Sequence, residues 1–239
     1  VDPLLAIWKR ELQSYFYTPV GYVFMGVFLS LSGLFFYMLV LDARSSDVLT
    51  FLGQISYLWM LLSPVLTMRL LAEEKQKRTD QLLLTSPVSL PGIVLGKYLA
   101  AVTVMACTVL LTLVYVLVVA LYGAVYPGEL MVGYLGFILQ GSAFLALDLY
   151  ISGCASNQVT AAVAAFGVNL ALWLMDLLAG GVTQAWLQDA LSFFSLYQRY
   201  NPFLMGQLSF ASIGFDLAFI AAFLALTVHS LDSRRYRGV

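Results

Sequence analysis

Residues 69–91 read Arg-Leu-Leu-Ala-Glu-Glu-Lys-Gln-Lys-Arg-Thr-Asp-Gln-Leu-Leu-Leu-Thr-Ser-Pro-Val-Ser-Leu-Pro, and they decide how the rest of the chain is laid out. Seven formal charges fall between Arg69 and Asp80, flanked by long runs that carry almost none. Such a segment faces water. Glu73 with Lys77 and Glu74 with Arg78 are acid-before-base pairs four apart, the order that supports a helix. Leu82, Leu83 and Leu84 give that helix an apolar end. Thr85, Ser86 and Pro87 stop it, because proline removes a donor and crowds the preceding turn. Pro91 opens the next helix. The pattern predicts a short amphipathic helix at about 72–85, lying at a membrane face where a partner outside the bilayer could push it.

The 239 residues are 61% hydrophobic and 10% charged, with a mean hydropathy of +0.88. A soluble domain carries about 25% charged residues, so the composition defines an all-α polytopic membrane protein. The net charge of −1 gives no reason to expect a nucleic-acid partner. Cys107 and Cys154 both sit in apolar runs, where single thiols act as small hydrophobes. Neither disulfide nor metal spacing is present. Residues 1–18 carry an amphipathic pattern in place of the basic start and short apolar core of a cleavable signal.

Asp2 and Pro3 suit a helix start. Leu5, Trp8, Leu12, Tyr15 and Phe16 then share a face opposite Lys9, Arg10 and Gln13, which predicts an interfacial helix over 3–17. About 20 apolar residues cross a bilayer core, and six runs meet that need: 19–41, 48–68, 92–122, 132–153, 159–178 and 213–231. Pro64 interrupts the second, at a cost that neighbouring spans can offset. Pro127, Gly128 and Glu129 read as a tight return, and Ser156-Asn157-Gln158 as a polar turn capping span five. Residues 182–210 are rich in aromatics around Asn201-Pro202 and read as a re-entrant pair at interfacial depth before the last span.

Six spans put both termini on one side. Ten of the 12 basic residues then fall on that side with residues 69–91, leaving only Arg44 and Arg199 opposite. The positive-inside rule places both ends and the charged segment in the cytoplasm.

This order of parts resembles the permease subunit of type-2 ABC transporters, most closely the gliding-motility-type branch, over nearly the whole chain. The resemblance rests on Thr18-Pro19-Val20-Gly21-Tyr22 opening span one and on Met68-Arg69-Leu70-Leu71-Ala72-Glu73-Glu74-Lys75. Thr79 and Leu82-Leu83-Leu84-Thr85-Ser86-Pro87 extend it, as do Gly96-Lys97-Tyr98-Leu99-Ala100 and Ser156-Asn157-Gln158. It implies a multi-pass protein of the bacterial inner membrane, surrounded by lipid and paired with a second permease copy or a related one. It also implies a separate ABC ATPase subunit that carries ATP and Mg, this chain holding no cofactor. The charged segment would be the coupling helix, docked in a groove of that ATPase with Leu82, Leu83 and Leu84 as anchors and Glu73, Glu74, Arg78 and Asp80 setting register. The sequence departs from the family pattern at Arg78, where relatives have glycine, and at Gln81, where they have an acid; both changes favour an unbroken helix. Asp148 stands where relatives carry a small residue.

No Gly-x-x-x-x-Gly-Lys-Ser/Thr loop is present to cradle nucleotide phosphates, and no set of acids, His or Ser converges as a catalytic site. Asp148 lies about 12 Å above the inner turn, eight residues at about 1.5 Å each. A carboxylate at that depth costs about 2.5 kcal/mol or more unless it faces a partner or a wet cavity. Asn169 on span five matches its depth. Asp148 and Asn169 are therefore the candidate polar element of a transport path, against the alternative of a carboxyl hydrogen-bonded within the bundle. Asp176 and Asp216 read as surface anchors near span ends, with Arg199 able to pair with either. The leading functional reading is an ATP-driven exporter of an amphipathic, lipid-like or peptide-like substrate. One alternative is mechanical or assembly work passed to an envelope accessory protein; another is an ion-coupled secondary transporter.

Overall fold

The computed structural model describes residues 3–78, 89–179, 184 and 195–237. Among them the secondary structure is helical, with no strand. The helices are α1 (Pro3–Tyr17), α2 (Pro19–Phe36, continued by a π turn at Tyr37–Asp42), α3 (Val48–Thr67), α4 (Ala72–Gln76), α5 (Leu90–Tyr122), α6 (Pro127–Cys154), α7 (Gln158–Ala179), α8 (Leu196–Leu204) and α9 (Phe210–Arg237). Six segments are long and apolar enough to cross a membrane: Pro19–Asp42, Val48–Gln76, Leu90–Tyr122, Pro127–Cys154, Gln158–Leu178 and Phe210–Ser233.

Local chemistry fixes where these helices begin. Pro19, Pro91 and Pro127 each occupy the first turn of their helix, where a missing N–H is harmless. Pro127 and Glu129 therefore do not form a tight return. They open α6, with the acid in its first turn, where it complements the helix dipole. Span four consequently starts five residues earlier than the sequence alone indicates. Asp47 caps α3 by accepting from the Thr50 amide at 3.1 Å, and Asn157 caps α7 by accepting from the Thr160 amide at 2.8 Å.

α6 forms the centre of the bundle, with every residue from Gln140 to Leu149 buried. α8 lies directly on it: a side chain at Gly136 would meet the Phe203 ring at 2.5 Å, so only glycine permits that approach. α2, α5 and α7 present Val23, Leu31, Leu110, Leu117, Val163 and Leu177 outward, an apolar exposure that suits lipid rather than water.

The structure adds to three expectations. α1 turns most of the predicted stripe inward: Tyr15 is buried and Trp8, Leu12 and Phe16 pack against the core, while Leu5 is 50% exposed. Ile7 packs on Gly96, where a Cβ would come within 2.9 Å, and the Trp8 indole donates to Thr103 at 3.0 Å. Helix α1 is thus seated on the start of α5. Secondly, the coupling helix does not run unbroken over 72–85. α4 ends at Gln76 and Arg78 adopts φ +55°, a left-handed geometry that costs a non-glycine residue about 1–2 kcal/mol. Arg78 holds this turn without extending the helix. Thirdly, span one runs on through a π turn to Asp42. Of the predicted re-entrant pair, α8 is described; most of its first half lies outside the described residues.

Candidate functional site

The face that carries α1, α4 and the α6–α7 turn holds two neighbouring sets of ion pairs. They start from the 69–76 sequence, whose acids sit on consecutive positions and so point in two directions. Glu73 accepts from Arg69 Nε at 2.9 Å and from Lys77 Nζ at 2.6 Å; these are local i,i+4 pairs. Glu74 instead reaches across to Lys97 of α5 at 2.8 Å and Arg10 of α1 at 3.2 Å. Lys97 also donates to Glu11 at 3.0 Å, and Arg10 closes the set on Glu11 at 2.8 Å. A pocket of about 270 Å³ opens among these side chains.

Lys97 is the centre of the network. Its side chain is 1% exposed, and an ammonium so enclosed is tolerable only because two carboxylates surround it. Burial alone would raise the Glu11 carboxyl, but the charge of Lys97 and the hydrogen bond from Arg10 outweigh it and hold the group below its ordinary range. On the other side of α4, Lys75 Nζ donates to the carbonyls of Gly153 at 2.6 Å and Ala155 at 2.8 Å. Gly153 belongs to the last turn of α6 and Ala155 is its C-cap, an end that attracts a cation. The Gln158 amide donates to Gln76 at 3.4 Å. Helix α4 is therefore tied to α1, α5 and the α6–α7 turn at once.

A second polar centre lies inside the bundle. Pro64 has no N–H, so the carbonyl of Met60 one turn earlier loses its helical donor. Asn169 Nδ2 replaces it at 3.2 Å. The same Nδ2 donates to Asp148 Oδ1 at 3.0 Å, and Ser63 Oγ donates to Oδ2 at 2.6 Å. Asp148 and Asn169 are both 0% exposed. The kink at Pro64, the carboxyl and the amide form one closed unit joining α3, α6 and α7. In this conformation Asp148 is sealed from lipid and from any open cavity.

The structure places Glu73 and Glu74 in two neighbouring ion-pair sets that line one pocket, and joins Asp148 to Asn169 inside the bundle. Arg78 sits at the end of α4; Asp80, Leu82, Leu83 and Leu84 lie outside the described residues. Asp176 accepts from Ser195 Oγ at 2.7 Å, and Asp216 is buried rather than anchored at the surface. The Arg199 guanidinium lies 4.8 Å from the Phe215 ring centroid. The sequence reading missed Lys97, Glu11 and Ser63. A lysine seven residues beyond the first residue of an apolar span was the available signal for the first.

Six apolar helices, with a charged segment fastened to α1, α5 and the α6–α7 turn, define a multi-pass membrane protein. The profile of the family described as ABC-2 family transporter protein matches residues 16–234, and the chain belongs to that family. It is a permease-type transmembrane subunit of an ABC transporter, and membership implies an ATPase partner. A search of curated proteins returned no match.

Proposed function

We propose that this chain is the membrane half of an ATP-driven exporter in the bacterial inner membrane, with both termini and α4 in the cytoplasm. It works as a dimer with a second copy or a related permease. ATP and Mg are bound by a separate ATPase subunit, which grips the 69–91 segment; Leu82, Leu83 and Leu84 anchor that contact, with Glu73, Glu74, Arg78 and Asp80 around it. The cargo is an amphipathic molecule.

One observation carries this reading: α4 is fastened by ion pairs to α1 and α5 and by Lys75 to the end of α6. A push on α4 cannot be absorbed locally. Closure of the ATPase dimer would move α4, α1 and the cytoplasmic ends of α5 and α6 as a body, a shear of packed helices about the closed Pro64–Asn169–Asp148 unit. The basic residues gathered on this face support its cytoplasmic placement.

The test is co-purification. An Arg78→Glu, Leu83→Asp double variant should insert normally and lose the nucleotide-binding chain that accompanies the tagged wild type. Undiminished recovery of that chain would move the docking surface elsewhere.

A further inference from the structure

The carboxyl of Asp148 lies inside the bundle, 0% exposed, and no cationic side chain pairs with it among the described residues. A charge so placed needs a compensating one or is lost. Most of what surrounds it is oxygen. Ser63 Oγ lies 2.6 Å from Asp148 Oδ2 and 3.4 Å from the Met60 carbonyl oxygen, which Pro64 has freed from the α3 ladder. Asn169 Nδ2 stands between the two acceptors, 3.2 Å from Met60 and 3.0 Å from Asp148 Oδ1.

The amide is only half used. Asn169 is 0% exposed, yet its Oδ1 is buried with no hydrogen-bond partner. An orphaned oxygen beside an uncompensated carboxylate makes two demands that one cation meets. The terminal torsion of asparagine is broad and soft, so rotation of the amide puts Oδ1 in the place of Nδ2. Both Asp148 oxygens, Ser63 Oγ, the Met60 carbonyl and Asn169 Oδ1 then converge from α3, α6 and α7. Ser63 keeps its hydrogen on Oδ2 and offers a lone pair.

The spacing of these atoms selects the ion. Oxygens about 3.0–3.4 Å apart subtend roughly 75–90° at an ion about 2.4 Å from each, the geometry of a hard cation with several oxygen ligands. Na+ has that size, whereas K+ demands wider spacing. A single carboxylate balances one positive charge, and a divalent ion would leave an excess in the bilayer interior.

We propose that Asp148, Asn169, Ser63 and the Met60 carbonyl form a sodium site at the Pro64 kink, which neutralises the carboxylate and clamps α3, α6 and α7 together. The hydrogen-bonded arrangement is its cation-free state. Met60 also lines a groove of about 560 Å³ between α3 and α7 that holds Asp176, an acid that draws cations toward the site. The site stands whatever cargo the subunit moves. A proton is the competing occupant, because it too neutralises Asp148, but it needs neither the amide oxygen nor Met60.

The test is equilibrium binding of radiolabelled Na+ to the full chain in neutral maltoside detergent, with choline chloride as the background salt at fixed alkaline pH. Saturable binding of one ion per chain is expected, with K+ competing about tenfold more weakly because the oxygens are spaced for a smaller ion. The melting temperature should rise with Na+ and not with equal K+ or choline, since a ligand that binds only the folded chain stabilises it. Asp148→Asn should abolish both effects while matching the wild type's melting temperature in choline chloride, which separates lost binding from lost folding. Ser63→Ala should weaken binding by about fivefold, the effect of one neutral oxygen contact. Asp216→Asn, at the other buried carboxylate, should leave binding unaltered. Absence of saturable Na+ binding, equal competition by K+, or full binding in Asp148→Asn overturns the proposal. A stability that responds to pH and not to Na+ assigns Asp148 to a proton and overturns it as well.

Discussion

The Lys97 ammonium lies 2.8 Å from Glu74, so the first turns of span three hold the short helix α4 by a charge that has almost no access to water. Removing one member of a buried pair costs more than the pair contributes, because the other is left desolvated. Lys97→Met should therefore destabilise the protein by about 3 kcal/mol, read as a lowered melting temperature in detergent. Glu74→Gln should cost less, about 1 kcal/mol, since the amide oxygen can still accept from Lys97 and Arg10 and Glu11 still neutralises both. Equal losses in the two variants would show that Lys97 is not the centre of the network.

The same network predicts an acid limb. Glu11 has its carboxyl held below the ordinary 4.5 in the folded chain. A depressed folded value means the stabilisation is fully present above that ordinary value and fades as pH falls through the lower, folded one. Thermal stability should thus be flat from pH 7 to about 5 in its Glu11-linked part and decline below about 4.5. Glu11→Gln should shrink that decline, and an unchanged acid limb in this variant would remove Glu11 from the account.

Arg78 holds a left-handed backbone. Arg78→Gly should relieve that geometry and stabilise the fold by about 0.5–1 kcal/mol, the balance of lost strain against the added freedom of an unfolded glycine. A loss of stability would mean that the arginine side chain contributes more than its backbone costs.

The Pro64 kink and Asn169 are thermodynamically linked. Asn169→Ala should cost about 2 kcal/mol, because it leaves one oxygen of Asp148 without a donor and the Met60 carbonyl with only the long 3.4 Å contact from Ser63 Oγ. In a Pro64→Ala background the backbone N–H returns to Met60, so the same substitution should cost about 1 kcal/mol less. Additive effects would refute the repair. Asp148→Asn should stay within about 1 kcal/mol of wild type, because Ser63 can turn from donor to acceptor, whereas Asp148→Leu strands both partners and should cost about 3 kcal/mol.

Span number and place were legible in the sequence because about 20 apolar residues are needed to cross a bilayer and little else satisfies that need. The opposing depths of Asp148 and Asn169 were legible for the same reason: rise per residue along a spanning helix is nearly fixed. Their shared duty to Met60 was not, since it arises from a carbonyl that Pro64 orphans on a third helix. The pairing of Glu74 with Lys97 was hidden because Glu74 has a nearer helical neighbour of suitable charge in Arg78, while Lys97 has no acid within a helical turn to point to its partner. Only the packing of α1 and α4 onto α5 selects the long-range partner. The break at Arg78 escaped because arginine is a good helix former, and side-chain propensity carries no sign of a left-handed φ imposed by the turn.

The most direct test places a photo-activatable benzoylphenylalanine at position 78 in the tagged, membrane-inserted chain and irradiates intact cells. An adduct with a cytoplasmic chain that is itself labelled by a photoreactive ATP analogue is the predicted result. Adducts formed only with proteins or reagents confined to the external side would contradict the account, because the segment that α4 begins would then be out of reach of any ATPase.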